Sequence, residues 1–231
     1  MPYPGFVVGG YNWWVPVLEP FADLAAQPDP PLDRLVLALA SEFRELDANT
    51  AIAELDLLGS ELAAFAGEGP RGEAAALREV LGQRHGFSGD RDDYDNPDNS
   101  MLDIVLQRRK GLPILLSIVY VEVARRGGAA LAGVGLPGHF MVGHFGQVPP
   151  LLLDPFAGGA ELAIEVPVAV RPWGSHETAL RMLNNLLASY LSRHDLGRAI
   201  RAAEMRLALP IAGSDAESLA SELASLRARL N

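Results

Sequence analysis

Few residues in this chain of 231 could do chemistry, and most of them lie between Gly111 and Asp154. That stretch carries Ser117, Glu122, His139, His144 and Asp154. A serine beside a histidine could transfer an acyl group, and a histidine with a carboxylate could activate a bound water. Each residue also has a plain structural use. A lone histidine is more often structural than catalytic, and Asp154 directly before Pro155 suits the start of a turn. Ser117, inside a helix, can bond back to the carbonyl of Pro113. The chain has no cysteine, so it can build neither a thiol nucleophile nor a disulfide nor a thiolate metal site.

Two charged clusters flank this stretch. The loop from Ser88 to Asn99 carries Asp90, Asp92, Asp93, Asp95 and Asp98, which invites a calcium reading. The spacing fails: counted from Asp90, the sixth position is Asp95 where a calcium loop needs Gly, and the twelfth is Met101 where it needs Glu. A hydrogen-bonded turn built on Asn and Asp side chains is expected instead. Arg108, Arg109 and Lys110 then end a helix. With Asn99 they could bind an anionic ligand, or the arginines could pair with Glu122 and the acidic loop. His85, just before Gly86, reads as a favourable charge at a helix end.

The elements that must position these residues follow from periodicity. Pro113 to Gly128 reads as a helix with Pro in its first turn and two arginines and a Gly pair at its end. Only Ser117, Tyr120 and Glu122 interrupt its apolar surface, so it must be covered on several sides. Short strands follow at 130–134, 139–145 and 151–155, separated by turn residues. Alternation puts His139, Met141 and Phe145 on one face and Phe140, Val142 and His144 on the other, so the two histidines serve different places and His144 reads as a surface residue. A buried helix feeding an antiparallel meander is an α+β core.

Upstream, Leu35, Leu39, Phe43 and Leu46, then Ile52, Leu55, Leu58, Leu62 and Phe65, mark two amphipathic helices with a capping turn at Asp47. A third runs from near Pro70 to His85. Ser100 and Asp103 have the capping-box relation for the helix that ends in the basic cluster. Residues 1–31 read as an irregular Pro-rich arm around Tyr11, Trp13 and Trp14, packed on the domain. After a short extended piece at 162–170, helices resume at Ser175, and Ser214 with Glu217 reads as the cap of the last one.

Hydrophobic residues make up 49 % of the chain and charged ones 21 %, an ordinary balance for a folded domain. The net charge of -10 argues against non-specific binding to nucleic acid or an anionic membrane, both of which need a basic surface. No basic leader precedes an apolar run, and no stretch approaches the roughly 20 apolar residues that cross a bilayer. A cytoplasmic location without membrane contact is expected, and no metal or cofactor is implied.

Five spaced blocks carry a resemblance. They are Gly86 to Tyr94, Asn99 to Leu102, Val105 to Pro113, Leu136 to Phe140 and Asp154 to Phe156, and in this order they resemble the bacterial SirB family of the transglutaminase-like superfamily. The resemblance covers roughly residues 86–160 and implies a cysteine-protease-like core over 32–174, including a helical part at 32–86. It also implies roles: His139 as base and Asp154 as the acid that orients it. The superfamily's nucleophilic Cys sits at a helix start, where the N-terminal partial charge lowers a thiol's pKa. The matching position here is Pro113, which offers neither nucleophile nor N–H. The segment from Leu183 to Pro210 looks like one tetratricopeptide-type helix pair, so residues 175–231 either dock on the core or offer a surface to a protein partner. The expected function is a binding or scaffold module that has lost thiol catalysis. The alternative is a hydrolase or acyltransferase acting on an amide or ester, with Ser117 or a bound water beside His139 and Asp154.

Overall fold

Helical periodicity governs the first half of the chain. The computed structural model describes residues 18–162, 170–211 and 213–230. Tyr11, Trp13, Trp14 and most of the expected extended piece lie outside them. The arm expected to be irregular contains a short helix, α1 (Phe21–Ala25), whose Phe21, Leu24 and Ala25 are buried. α2 (Leu32–Ser41) begins behind Pro31, and α3 (Ala48–Ala63) begins behind Asp47, whose carboxylate accepts the N–H groups of Asn49 and Thr50. Those are two of the donors that every helix start leaves over. α4 (Gly69–Leu77) runs on into a π-helical segment, Arg78–Arg84, and stops at His85 and Gly86.

The acidic loop is pinned at its start by a two-residue parallel ladder between β1 (Ser88–Gly89) and a strand on the far side of α5 (Leu102–Arg108), β2 (Lys110–Gly111). Within it, Asp90 is buried and accepts the N–H groups of Asp92 and Asp93. Burial alone would raise its pKa. The bonds from Asp93, Asn99 and Asp92 and the Arg108 charge outweigh that and hold it below the usual value. The expected Ser100–Asp103 capping box does not form. Ser100 ends a 3-10 turn with its hydroxyl unpartnered, Met101 occupies the cap position, and Asp103 pairs instead with Arg44 near α2. A distant cation outcompeted the local cap.

Next comes α6 (Pro113–Gly127), followed by four antiparallel strands in sequence order: β3 (Leu131–Leu136), β4 (His139–His144), β5 (Leu151–Asp154) and β6 (Ala160–Glu161). β6 extends the expected three-stranded meander. α7 (Ser175–Ser192), α8 (Leu196–Leu207) and α9 (Ser214–Ala228) close the chain. Gly213, not Ser214, is the cap residue of α9, and no side chain caps it.

One apolar core joins the helices before α6, the sheet and the C-terminal helices. Leu115, Leu116, Val119 and Val123 of α6 are fully buried among residues of α2, α3 and α5, Phe140 and Val142 of β4, and Leu183 and Leu186 of α7. At about 1.5–3 kcal/mol per buried Leu or Val, this cluster outweighs any surface contact in the molecule. Val134, Met141 and Leu152 form a smaller cluster. Strand alternation therefore holds as expected, with Phe140 and Val142 turned to the main core and Met141 away from it. The architecture is α+β.

Glu122 is the costly member of α6, at 2 % exposure. Burial, and then the Asp33 charge, push its pKa up. Arg125 at 2.7 Å and Arg126 at 2.6 Å oppose that, and Arg126 also reaches Asp33 of α2 and Asp56 of α3, both at 2.6 Å. The network ties three helices together, because removing one partner would leave a buried charge uncompensated.

The π-helical segment meets the loop beyond β5 backbone to backbone. A Cβ at Gly82 would overlap the carbonyl oxygen of Gly158, and one at Gly159 would come within 2.9 Å of the Tyr120 hydroxyl. Backbone cannot swing aside as a flexible side chain can. Gly82→Ala is therefore expected to lower stability by about 1–3 kcal/mol, the usual cost of overpacking, as read from the denaturant midpoint. An unchanged midpoint would mean that this contact does not fix the loop after Asp154.

Candidate functional site

Chain geometry brings the start of α6 and the mouth of the sheet to one end. α6 has fifteen residues and is about 22 Å long, and β3 leaves its far end after only three residues and runs back about 20 Å. The tight turn Pro137–Gly138, with Gly138 at φ 74°, then opens β4 with His139. β5 runs antiparallel to β4 and ends in Asp154 at that same end.

His139 Nε2 lies 3.3 Å from Asp154 Oδ2, with the imidazole about one third exposed and the carboxylate mostly covered. The other carboxylate oxygen of Asp154 accepts the Phe156 N–H at 2.9 Å, which makes Asp154 the cap of a 3-10 turn, Pro155–Ala157. The turn reading of Asp154 and its place beside His139 thus hold together. Phe156 extends from the turn under the acidic loop, with Arg91 4.9 Å above its ring and Tyr94 packed edge-on at 5.9 Å.

Pro113 is the first residue of α6, behind Leu112 as cap. The Leu112 N–H donates to the Asn99 carbonyl at 3.1 Å, and Asp90 N–H donates to Gly111 at 3.2 Å, so the acidic loop and the 3-10 turn before α5 fix the helix entry. Asn99 is fully buried and donates to the Asp93 carbonyl at 2.7 Å. Its work here is to hold the loop.

Each cation of the basic cluster has a carboxylate beside it. Arg108 meets Asp90 at 3.3 Å, Lys110 meets Asp92 at 3.9 Å, and Arg109 pairs with Glu54 of α3 while lying 4.8 Å over the Phe87 ring. Glu122, the partner expected for the arginines from sequence, is taken by Arg125 and Arg126. Those two are nearer along the helix, at i+3 and i+4.

Ser117 corrects two expectations. It is fully buried and its hydroxyl has no hydrogen-bond partner, so it bonds neither to His139 nor back to Pro113. It lines a cavity with Phe140, and alternation turns Phe140 away from His139. The serine route to an enzyme loses its base. His144 is a further correction. It is buried, with Nε2 2.7 Å from Glu73 and Nδ1 accepting the Gly146 N–H at 3.1 Å. Glu73 lies 71 residues away in sequence, so alternation alone could not reveal the burial of His144.

Tyr120 is the residue that sequence reasoning passed over. It lies seven positions after Pro113 and so on the same face of α6, two turns in. Its phenol is fully buried with no partner. Burial first, and the Asp154 charge second, push its pKa far up, opposed by Arg78. The signal available in the sequence was that seven-residue spacing from the helix start.

The family described as "Transglutaminase-like superfamily" matches residues 34–201. A "UPF0162 protein" of Xylella fastidiosa (strain 9a5c) is 34 % identical over 218 residues, covering 84 % of this chain and 77 % of that protein. "UPF0162 protein PA3419" of Pseudomonas aeruginosa is 35 % identical over 142 residues, covering 59 % and 50 %. "F-box only protein 21" of Mus musculus is 42 % identical over 67 residues, which is 29 % of this chain and 11 % of that one. The chain thus spans from three quarters down to about a tenth of these relatives' lengths. No solved structure matches.

Removing the Tyr120 hydroxyl tests the geometry around Asp154. Because the group is buried without a partner, Tyr120→Phe is expected to leave stability within about 0.5 kcal/mol or to raise it. A loss above about 1.5 kcal/mol in chemical denaturation would show instead that the phenol is bonded.

Proposed function

We propose that this chain, which belongs to the transglutaminase-like superfamily, is a binding module on a catalytic frame whose nucleophile has gone. One observation supports the reading: Pro113 is the first residue of α6, and the resemblance matches that position to the superfamily's thiol. Proline has no group to attack with and no N–H to stabilise an oxyanion, and the chain has no cysteine to take over.

What remains can recognise an acyl or carboxylate group without breaking it. The first turn of α6 leaves the N–H groups of Ile114 and Leu115 without carbonyl partners in the helix, and its partial positive charge favours an oxygen acceptor. His139, held by Asp154, supplies a second polar contact at that end. We place the chain with the SirB-like members of the superfamily on the five sequence blocks. We likewise read residues 175–231 as a tetratricopeptide-like appendix, docked through Leu183, Leu186, Ala199 and Ala203, all of which are in the main core. A protein partner would then meet its outward sides.

Turnover separates this reading from the hydrolase alternative. With an activated ester, and separately with a glutamine peptide plus hydroxylamine, the protein is expected to give no rate above that of His139→Ala. A rate that falls about 100-fold in His139→Ala, the scale of losing a general base, would establish an enzyme working through bound water and would end the binding-module reading.

A further inference from the structure

The acidic loop repels itself. Asp90, Asp92, Asp93, Asp95 and Asp98 stand close together in sequence, and like charges so near one another need cations or donors to hold them in one shape. Arg108 and Lys110 meet Asp90 and Asp92 at the start of the loop. Its middle is met by α7, from 94 to 100 residues further along the chain.

α7 makes three contacts there from one face. Arg193 Nη2 reaches the Asp93 carboxylate at 2.7 Å, and Arg193 Nε donates to the Asp95 carbonyl at 3.2 Å. The Ser189 hydroxyl donates to that same carbonyl. Ser189 and Arg193 are one helical turn apart, so both can face the loop. The helix is a firm base for them: Leu183 and Leu186 belong to the main core, and the Tyr190 ring lies 5.4 Å from that of Phe43.

What α7 grips is passed on in two directions. The Asp93 carbonyl accepts from Asn99 Nδ2 at 2.7 Å, and the Asn99 carbonyl accepts the N–H of Leu112, the residue before Pro113. Between the two gripped residues stands Tyr94, whose ring meets Phe156 edge-on. The Phe156 N–H is held in turn by Asp154, the partner of His139. One path ends at the start of α6 and the other at the His139–Asp154 pair.

We infer that the C-terminal helices control the order of the candidate site, with Ser189 and Arg193 as positioning residues that act through the loop. This rests on the reading of that end as the binding site, and it gives residues 175–231 a role toward the site as well as toward a partner.

The two residues are not equal. Arg193 and Asp93 are each about half exposed, so their ion pair is weak and screened by salt. Ser189 is 9 % exposed, so its hydrogen bond is shielded from competing water and carries more of the hold.

Amide hydrogen exchange, read by NMR at Leu112 and Phe156, tests the inference. Both should exchange faster than Val119 in the middle of α6, which marks them as opening locally. Ser189→Ala should speed both about three- to tenfold, the worth of one hydrogen bond. Arg193→Ala should speed both about two- to threefold, less in high salt, and Arg193→Lys, which keeps a charge opposite Asp93, should recover part of that change. Arg193 lies at the surface, so its variants carry the test should Ser189→Ala fold poorly. The Asn49 amide, held by Asp47 at the start of α3, is the control and should not change. Exchange at Leu112 and Phe156 that is as slow as at Val119, that stays unchanged in the variants, or that rises no more than at Asn49 would each overturn the inference. Exchange is read without a ligand, so its outcome is independent of the turnover result that tests the binding reading.

Discussion

A helix that is apolar on nearly every side can exist only where protein surrounds it, and α6 imposes that condition on the whole molecule. Twelve of its fifteen residues are buried. Strands pack on it, and α2, α3 and α5 cover it elsewhere, with α7 joining the same core. The order of elements follows from this need. A short link out of α6 sends β3 back along the helix, and the meander that results delivers His139 and Asp154 to the level of the helix start. The pairing of His139 with Asp154 at that end is therefore a by-product of burying one helix.

The few polar groups admitted to this helix show what burial demands. Glu122 is answered by two arginines and through them by α2 and α3. Tyr120 and Ser117 are not answered at all, and they face different places: Tyr120 the Asp154 side, Ser117 the cavity under α7. A folded protein rarely leaves hydroxyls so deep and unpaired.

Much of the frame was legible from spacing alone. The apolar run after Pro113, the alternation in β4 and the Asp47 cap each rest on contacts within a few residues, and each appears where its period put it. What sequence could not give was partner choice at long range. Arg109 found Glu54, Asp103 found Arg44 and His144 found Glu73, each separated by more than fifty residues, and in each case a distant charge displaced the local reading. The roles of His139 and Asp154 came from resemblance and not from periodicity. The structure adds their 3.3 Å approach and the phenol behind them.

The claim at the centre of this account is that the site's geometry has outlived its nucleophile. The most direct test is Pro113→Cys, with the rate of thiol alkylation followed against pH and with Pro113→Cys/His139→Ala beside it. The account predicts a thiol that titrates well below the roughly 8.5 of a free cysteine and returns towards it when His139 is removed. A thiol titrating at the ordinary value in a folded Pro113→Cys protein would contradict it, and the start of α6 would then be a structural end with no catalytic frame around it.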